Sequence, residues 1–482
     1  MKKLGLQLPS QSVSHNHRSP YGILPGIVYE TFRRRPLLQA GALSALNLFI
    51  PQHWQLLSSA LASHPPANSK PAKACIFLFM WGGPSQLDTF DLKPNAPSEI
   101  RGPFNPISTK TPGLQICEHF SKLSQQTDKI TLIRSLAHDD PAHLSSGHAT
   151  VTGQWAPVRK SDDTPPSSID SPHLGALVSA IKPAPPGLPS FVTLPWKAYH
   201  PAAPGGEAPG QHGGWLGPKH DGLLLTGDPN SAEWKPAQLT LPADITLDRL
   251  QSRIGLLELL DQQQSNLLRF KPIETIRQHQ AKAADLLASP KIREAFDLSL
   301  ESPATRDQYG RHIHGQSVLM ARRLIEKGIP LVSVNWHNDG RNFWDTHGDN
   351  FNRLKNDLIP PADQALAALL EDLQQRGMLD ETLVVWVGEF GRRPQITNSN
   401  AGREHWPYCY SGLLAGGGIN GGIVYGESDK HAAYPLSNPV SPLDFATTIL
   451  HALGIPTDIM LQDREGRPHR VSSGKIIDGI LG

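Results

Sequence analysis

TLVVWVGEFGRRP, Thr382 to Pro394, begins as an unbroken run of apolar and β-branched residues and then stops on Gly388, Glu389, Phe390, Gly391 and Arg392. A run without polar alternation predicts a strand buried on both faces, as in a parallel sheet covered by helices. The chain leaves that strand at Glu389, so a carboxylate stands at its carboxyl end. That end is where open α/β sheets bind their ligands.

Working outward, the same pattern recurs. KACIFLFMWGG from Lys73 predicts a buried strand ending in a glycine turn, and KITLIRSL a second short strand. Downstream, GQSVLMARRLIEKG predicts an amphipathic helix stopping at Gly328, IPLVSVNWH a strand, and PPADQALAALLEDLQQRG a helix opened by proline and closed at Gly377. YCYSGLLAGGG and GGIVYG predict further strands, and SPLDFATTILHALG a helix capped by Ser441 and ended by Gly454. Strands alternating with helices imply right-handed crossovers and a mostly parallel sheet between two helical layers, an α/β three-layer sandwich over residues 70–482. An insertion is expected at about 155–300. From about Trp155 to Pro242 proline, glycine and histidine dominate, which predicts loops over the sheet edge, and Ile245 to Leu287 has a helical period.

The formal charge of +1 leaves no basic footprint for nucleic acid. With 44 prolines and 42 glycines the connections should be long and stiff. Cys75, Cys117 and Cys409 are odd in number and have no CxxC spacing, so they predict buried thiols and no zinc ribbon. Residues 1–62 read as an address: Arg33, Arg34 and Arg35 precede an apolar run too short to span a bilayer, followed by Ala60 to Ala62 as a small-residue cleavage site. The order resembles a twin-arginine export signal. It predicts a mature chain in the periplasm or cell envelope with no transmembrane span.

Several loops carry acids or histidines to the expected sheet edge. Asp88 and Asp91 follow the first strand; His337, Asp339, Asp345, His347 and Asp349 follow another; Glu404 and His405 follow Glu389. Mixed carboxylate and imidazole sets suit zinc or manganese rather than calcium.

The motifs GGPSQLDTFDLKP, ARRLIEKGIPLVSVNWH, WDTHGDN, GEFGRRP and GREHWP, together with DETLVVWVGEFGR after a helix, resemble the bacterial family called domain of unknown function 1501, a branch of the alkaline phosphatase and sulfatase-like superfamily. The resemblance covers roughly residues 70–456. It implies an alkaline phosphatase-like fold and hydrolysis of phosphate or sulfate esters, the substrate being a small-molecule or carbohydrate ester. It implies a divalent metal site at Asp345, His347 and His405. A second position would use Asp88 or Asp91 with Glu389, but Phe390 stands where the superfamily has a ligating histidine. HLSSGHATVTG resembles the nucleophile stretch of sulfatases, with His143, Ser145 and Ser146 near the reactive position. A serine could attack, a metal-activated water could attack directly, or His143 could be a ligand or general acid. Arg392 or Arg403 could bind an oxyanion or neutralise Glu389. The alternative to an enzyme is a non-catalytic, metal-retaining envelope binding protein of the same fold.

Overall fold

The computed structural model describes residues 70–236, 245–263, 290–336 and 343–482. The export segment, His337, Asp339 and residues 264–289 lie outside them. No described helix is long and apolar enough to cross a membrane.

Eight strands form the central sheet: β1 (Ala74–Phe79), β2 (Ile130–Leu136), β3 (Phe191–Leu194), β4 (Leu223–Leu224), β5 (Leu331–Asn335), β6 (Thr382–Val387), β7 (Tyr410–Ala415) and β8 (Ile423–Tyr425). Their order is β8-β2-β7-β6-β1-β5-β3-β4. β1 pairs in parallel with both β5 and β6, in register Cys75 to Leu331 and Ala74 to Thr382. β7 runs antiparallel to β2 and β6, and every other pair is parallel. All six residues of β1 and of β6 are buried, as their unbroken apolar character requires.

The longer described helices are α1 (His143–Thr152), α2 (Leu174–Ile181), α3 (Leu247–Gln263), α4 (Ile313–Glu326), α5 (Ile359–Gln375) and α6 (Pro442–Ala452). Side chains alternate across the sheet and so build two cores. Ile76, Leu78, Val332, Val334, Val384 and Trp386 pack with α4 and α5. Cys75, Phe77, Phe79, Leu383, Val385 and Val387 pack with α1, α2 and α6 on the opposite face. The result is the three-layer α/β sandwich. Each fully buried aliphatic side chain in these layers adds about 1.5–3 kcal/mol. Ser441 closes a capping box with Asp444 at the start of α6.

The Pro/Gly-rich stretch differs from its expectation as loops. LGALVSAI forms α2, and FVTL and Leu223–Leu224 add β3 and β4 to one end of the sheet. These elements are short and separated by prolines, so local composition hides them. Pairing of β3 with β5, and of β4 with β3, supplies the hydrogen bonds that stabilise the two strands. The three cysteines are free and buried.

Candidate metal centre

The site lies beyond the carboxyl ends of β1 and β6. β6 ends at Val387, the chain turns through Gly388 and Glu389, and Gly391–Arg392 then pairs antiparallel with His405–Trp406, setting His405 opposite Arg392. This small ribbon folds His405 back over the strand end. β1 ends just before Trp81 and Gly82. Gly82 has φ +110, and a Cβ there would stand 2.4 Å from the backbone nitrogen of Asp345, so only glycine lets the two loops meet. His143 opens α1 on the helical side of the same edge.

Three side chains converge: ligand atoms of His143, Asp345 and His405 lie within 4.8 Å of one another. Asp345 is the centre of the group. Its Oδ1 is 3.0 Å from His347 Nε2, 3.3 Å from His405 Nε2 and 2.6 Å from Arg392 Nη2, and its Oδ2 is 3.5 Å from His143 Nε2. His347 and His405 face each other through their Nε2 atoms at 2.8 Å.

Each of the three imidazoles is held from behind by Nδ1. His143 donates Nδ1–H to Glu389 Oε1 at 2.6 Å, His347 donates Nδ1–H to Glu404 Oε2 at 2.5 Å, and His405 donates Nδ1–H to the Pro141 carbonyl at 2.8 Å. A carbonyl and carboxylates accept only, which fixes these tautomers and turns three Nε2 atoms inward, the arrangement that orients metal-ligating histidines. His143 Nε2 is buried and has no hydrogen-bond partner. An orphaned imidazole nitrogen beside a carboxylate and two further Nε2 atoms fits a cation, and these residues could hold one.

The electrostatics of the metal-free group agree. Burial alone would lower the pKa of His143, but the carboxylates of Asp345 and Glu389 raise it to about 9. Burial works against Asp345 ionising, yet Arg392 and the three imidazoles hold its carboxyl well below the usual range. The bond to Asp345 raises His347, whereas burial lowers His405 to about 4. Protons occupy positions that a cation would take, and metal binding would release them.

Several expected site residues have other partners. Glu389 is fully buried and stands behind His143: its oxygens accept the Gly82 N–H at 2.9 and 3.2 Å and the His143 Nδ1–H. Asp88 is buried in a two-pronged pair with Arg403 at 2.7 and 3.1 Å, and it also accepts from Ser85 and Asn350. It does not join the cluster. Arg392 and Arg403, expected as oxyanion binders, are fully buried. Arg392 donates to the Gly82, Gly83 and Arg403 carbonyls and pairs with Asp345; Arg403 donates to Asp88 and to the Arg393, Pro394 and Ile100 carbonyls. These contacts use every N–H of Arg403 and all but one Nη1–H of Arg392. Ser145 donates to Asp140 at 2.9 Å and Ser146 to the Ala142 carbonyl one turn back, so neither hydroxyl serves the cluster. Asp91 pairs with Lys93, Arg134 and Ser428. Glu404 was expected only as an acid at the sheet edge and serves as an Nδ1 acceptor, and the Pro141 carbonyl was missed because a backbone carbonyl leaves no mark in sequence.

No curated protein matches this chain. Solved structures that resemble it include the PsFucS1 sulfatase from Pseudoalteromonas sp., at 14% identity and TM-score 0.35, covering 84% of this chain and 72% of that one. A protein in the alkaline phosphatase superfamily from Vibrio parahaemolyticus has 11% identity and TM-score 0.36, covering 83% and 73%. The phosphonate monoester hydrolase SpPMH from Silicibacter pomeroyi has 15% identity and TM-score 0.33, covering 86% and 76%. A family model matches residues 72–481, which contain all eight strands of the sheet and both helical layers, and the chain therefore belongs to the family described as Protein of unknown function (DUF1501).

Proposed function

We propose that this chain is a metal-dependent hydrolase of phosphate or sulfate esters, exported by a twin-arginine-type signal to the periplasm or cell envelope. The observation that carries the reading is the convergence of His143, Asp345 and His405 around one point, with His347 beside them. Imidazoles with a single carboxylate favour zinc or manganese over calcium. One cation is the natural complement, since Asp88 and Glu389 are engaged elsewhere. The arginines, apolar run and alanines of residues 33–62 support export.

His143, Asp345 and His405 would hold a divalent cation, which would supply Lewis acidity toward an ester oxygen and toward a nearby water. The chain's own part is orientation. Glu389, Glu404 and the Pro141 carbonyl keep the three Nε2 atoms inward, and Arg392 balances the charge of Asp345. With Ser145 and Ser146 committed to Asp140 and Ala142, we assign the attack to water and not to a serine oxygen.

The test is metal content of the purified protein, together with turnover of an aryl phosphate and an aryl sulfate. About one equivalent of metal with turnover is expected, and His405→Ala should lower both together. Full metal occupancy without turnover of either ester would leave the second reading, a metal-retaining binding protein. Phe390 favours that alternative, since its ring packs 4.7 Å from His143 and 4.6 Å from His405 and fills space a polar catalytic group could take.

A further inference from the structure

The Pro/Gly-rich segment brings a further side chain to the cluster. His200 follows β3 beyond the sheet edge, and its ring lies 5.5 Å from that of His143. The backbone carrying it is fixed from several directions. The Trp81 indole N–H donates to the Tyr199 carbonyl at 3.0 Å, while the same indole packs 5.5 Å from His143. His200 N–H donates to the Gly206 carbonyl at 2.8 Å, Ala203 N–H donates to the His200 carbonyl at 3.1 Å, and Tyr199 bridges to Glu207. One indole thus ties together the first strand's exit, the helix that bears His143 and the loop that bears His200.

The tautomer of His200 is also set. Ala202 N–H donates to its Nδ1 at 3.3 Å, so Nδ1 is an acceptor and the ring proton belongs on Nε2. No described residue accepts that Nε2–H. His200 is half-buried, and Trp196 and Tyr199 beside it are 40% and 47% exposed. A held, half-buried donor next to a cation site, where both expected arginines are buried, suits an acceptor that arrives from solution.

We propose that His200 contacts the substrate, donating Nε2–H to a non-bridging oxygen of a tetrahedral oxyanion, phosphate or sulfate, bound at the cluster. This rests on the metal reading above. It assigns recognition of the anion to the insertion rather than to Arg392 and Arg403.

The experiment uses the full, metal-loaded protein with inorganic phosphate and, separately, inorganic sulfate, titrated by calorimetry after metal content is measured. His200→Ala should keep its metal and bind the preferred anion about 10- to 100-fold more weakly, the size of a hydrogen bond to a charged group. His200→Gln, whose amide can still donate, should recover part of the loss and controls for folding. A loss in His200→Ala on the anion that wild type binds more tightly supports the role, pointing to phosphate esters where that anion is phosphate and to sulfate esters where it is sulfate. Unchanged anion affinity in His200→Ala overturns the inference while leaving the metal reading intact, and so does metal-loaded wild type that binds neither anion. Loss of metal on His200→Ala overturns it by making His200 a ligand. A wild type without metal removes both proposals.

Discussion

With its oxygens taken by Gly82 N–H and His143 Nδ1–H, Glu389 decides which nitrogen of that ring faces Asp345. Glu389→Gln keeps the shape and one acceptor but removes the charge that holds the Nδ1 proton. Metal affinity should fall about 10- to 100-fold with the fold retained, as read by competitive metal titration beside circular dichroism. An unchanged affinity would show that Glu389 does not orient the ligand. Residue types at the site were legible in the sequence, since Asp345, His347 and His405 stand in polar loops after buried strands. Roles were less so. A glutamate at a strand end looks alike whether it meets a cation or a histidine, and the partners that engage Arg403 and Asp88 lie 315 residues apart.

Among the elements, the ribbon of Gly391–Arg392 and His405–Trp406 places the late histidine, and the turn before it is tightly fitted. A Cβ on Gly402 would stand 1.7 Å from the His347 carbonyl oxygen, a backbone atom that cannot swing aside. Gly402→Ala should therefore push the loop bearing Asp345 and His347 away from His405 and lower metal occupancy several-fold, measured by mass spectrometry of the purified variant. Wild-type occupancy would mean that the loop has slack. Long elements such as β1, β6, α4 and α5 were plain from their apolar periods because burial dictates those periods. β3 and β4 were not, because strands of four and two residues depend on a neighbour for pairing and leave little trace in composition. The antiparallel direction of β7 was likewise hidden: its apolar run reads the same in either direction.

The whole molecule carries a pH dependence of its own. His148 and His173 are buried and His138 half-buried, and burial first of all lowers the pKa values of His138, His148 and His173 from 6.5 to about 4, 4 and 3. Between those values and 6.5 the unfolded chain binds protons that the folded chain does not. Their contribution is thus full above pH 6.5 and is lost as pH falls toward 4, on the order of several kcal/mol in all. His143, raised to about 9, opposes them in the metal-free chain, where its contribution is full below 6.5 and lost as pH rises through 9. Metal-loaded protein should accordingly unfold at lower urea at pH 5 than at pH 7.5. An equal or higher midpoint at pH 5 would refute the assignment of these three rings as neutral.

Because the donors come from the start of α1, a loop after β5 and the ribbon after β6, no short fragment holds them all. During synthesis a cation would have nowhere to settle until the ribosome has released the chain past His405 and the sheet has shut around β6. Capture would be a closing event, and a product cut short before the ribbon would lack both His405 and β7, the strand that joins β6 to β2.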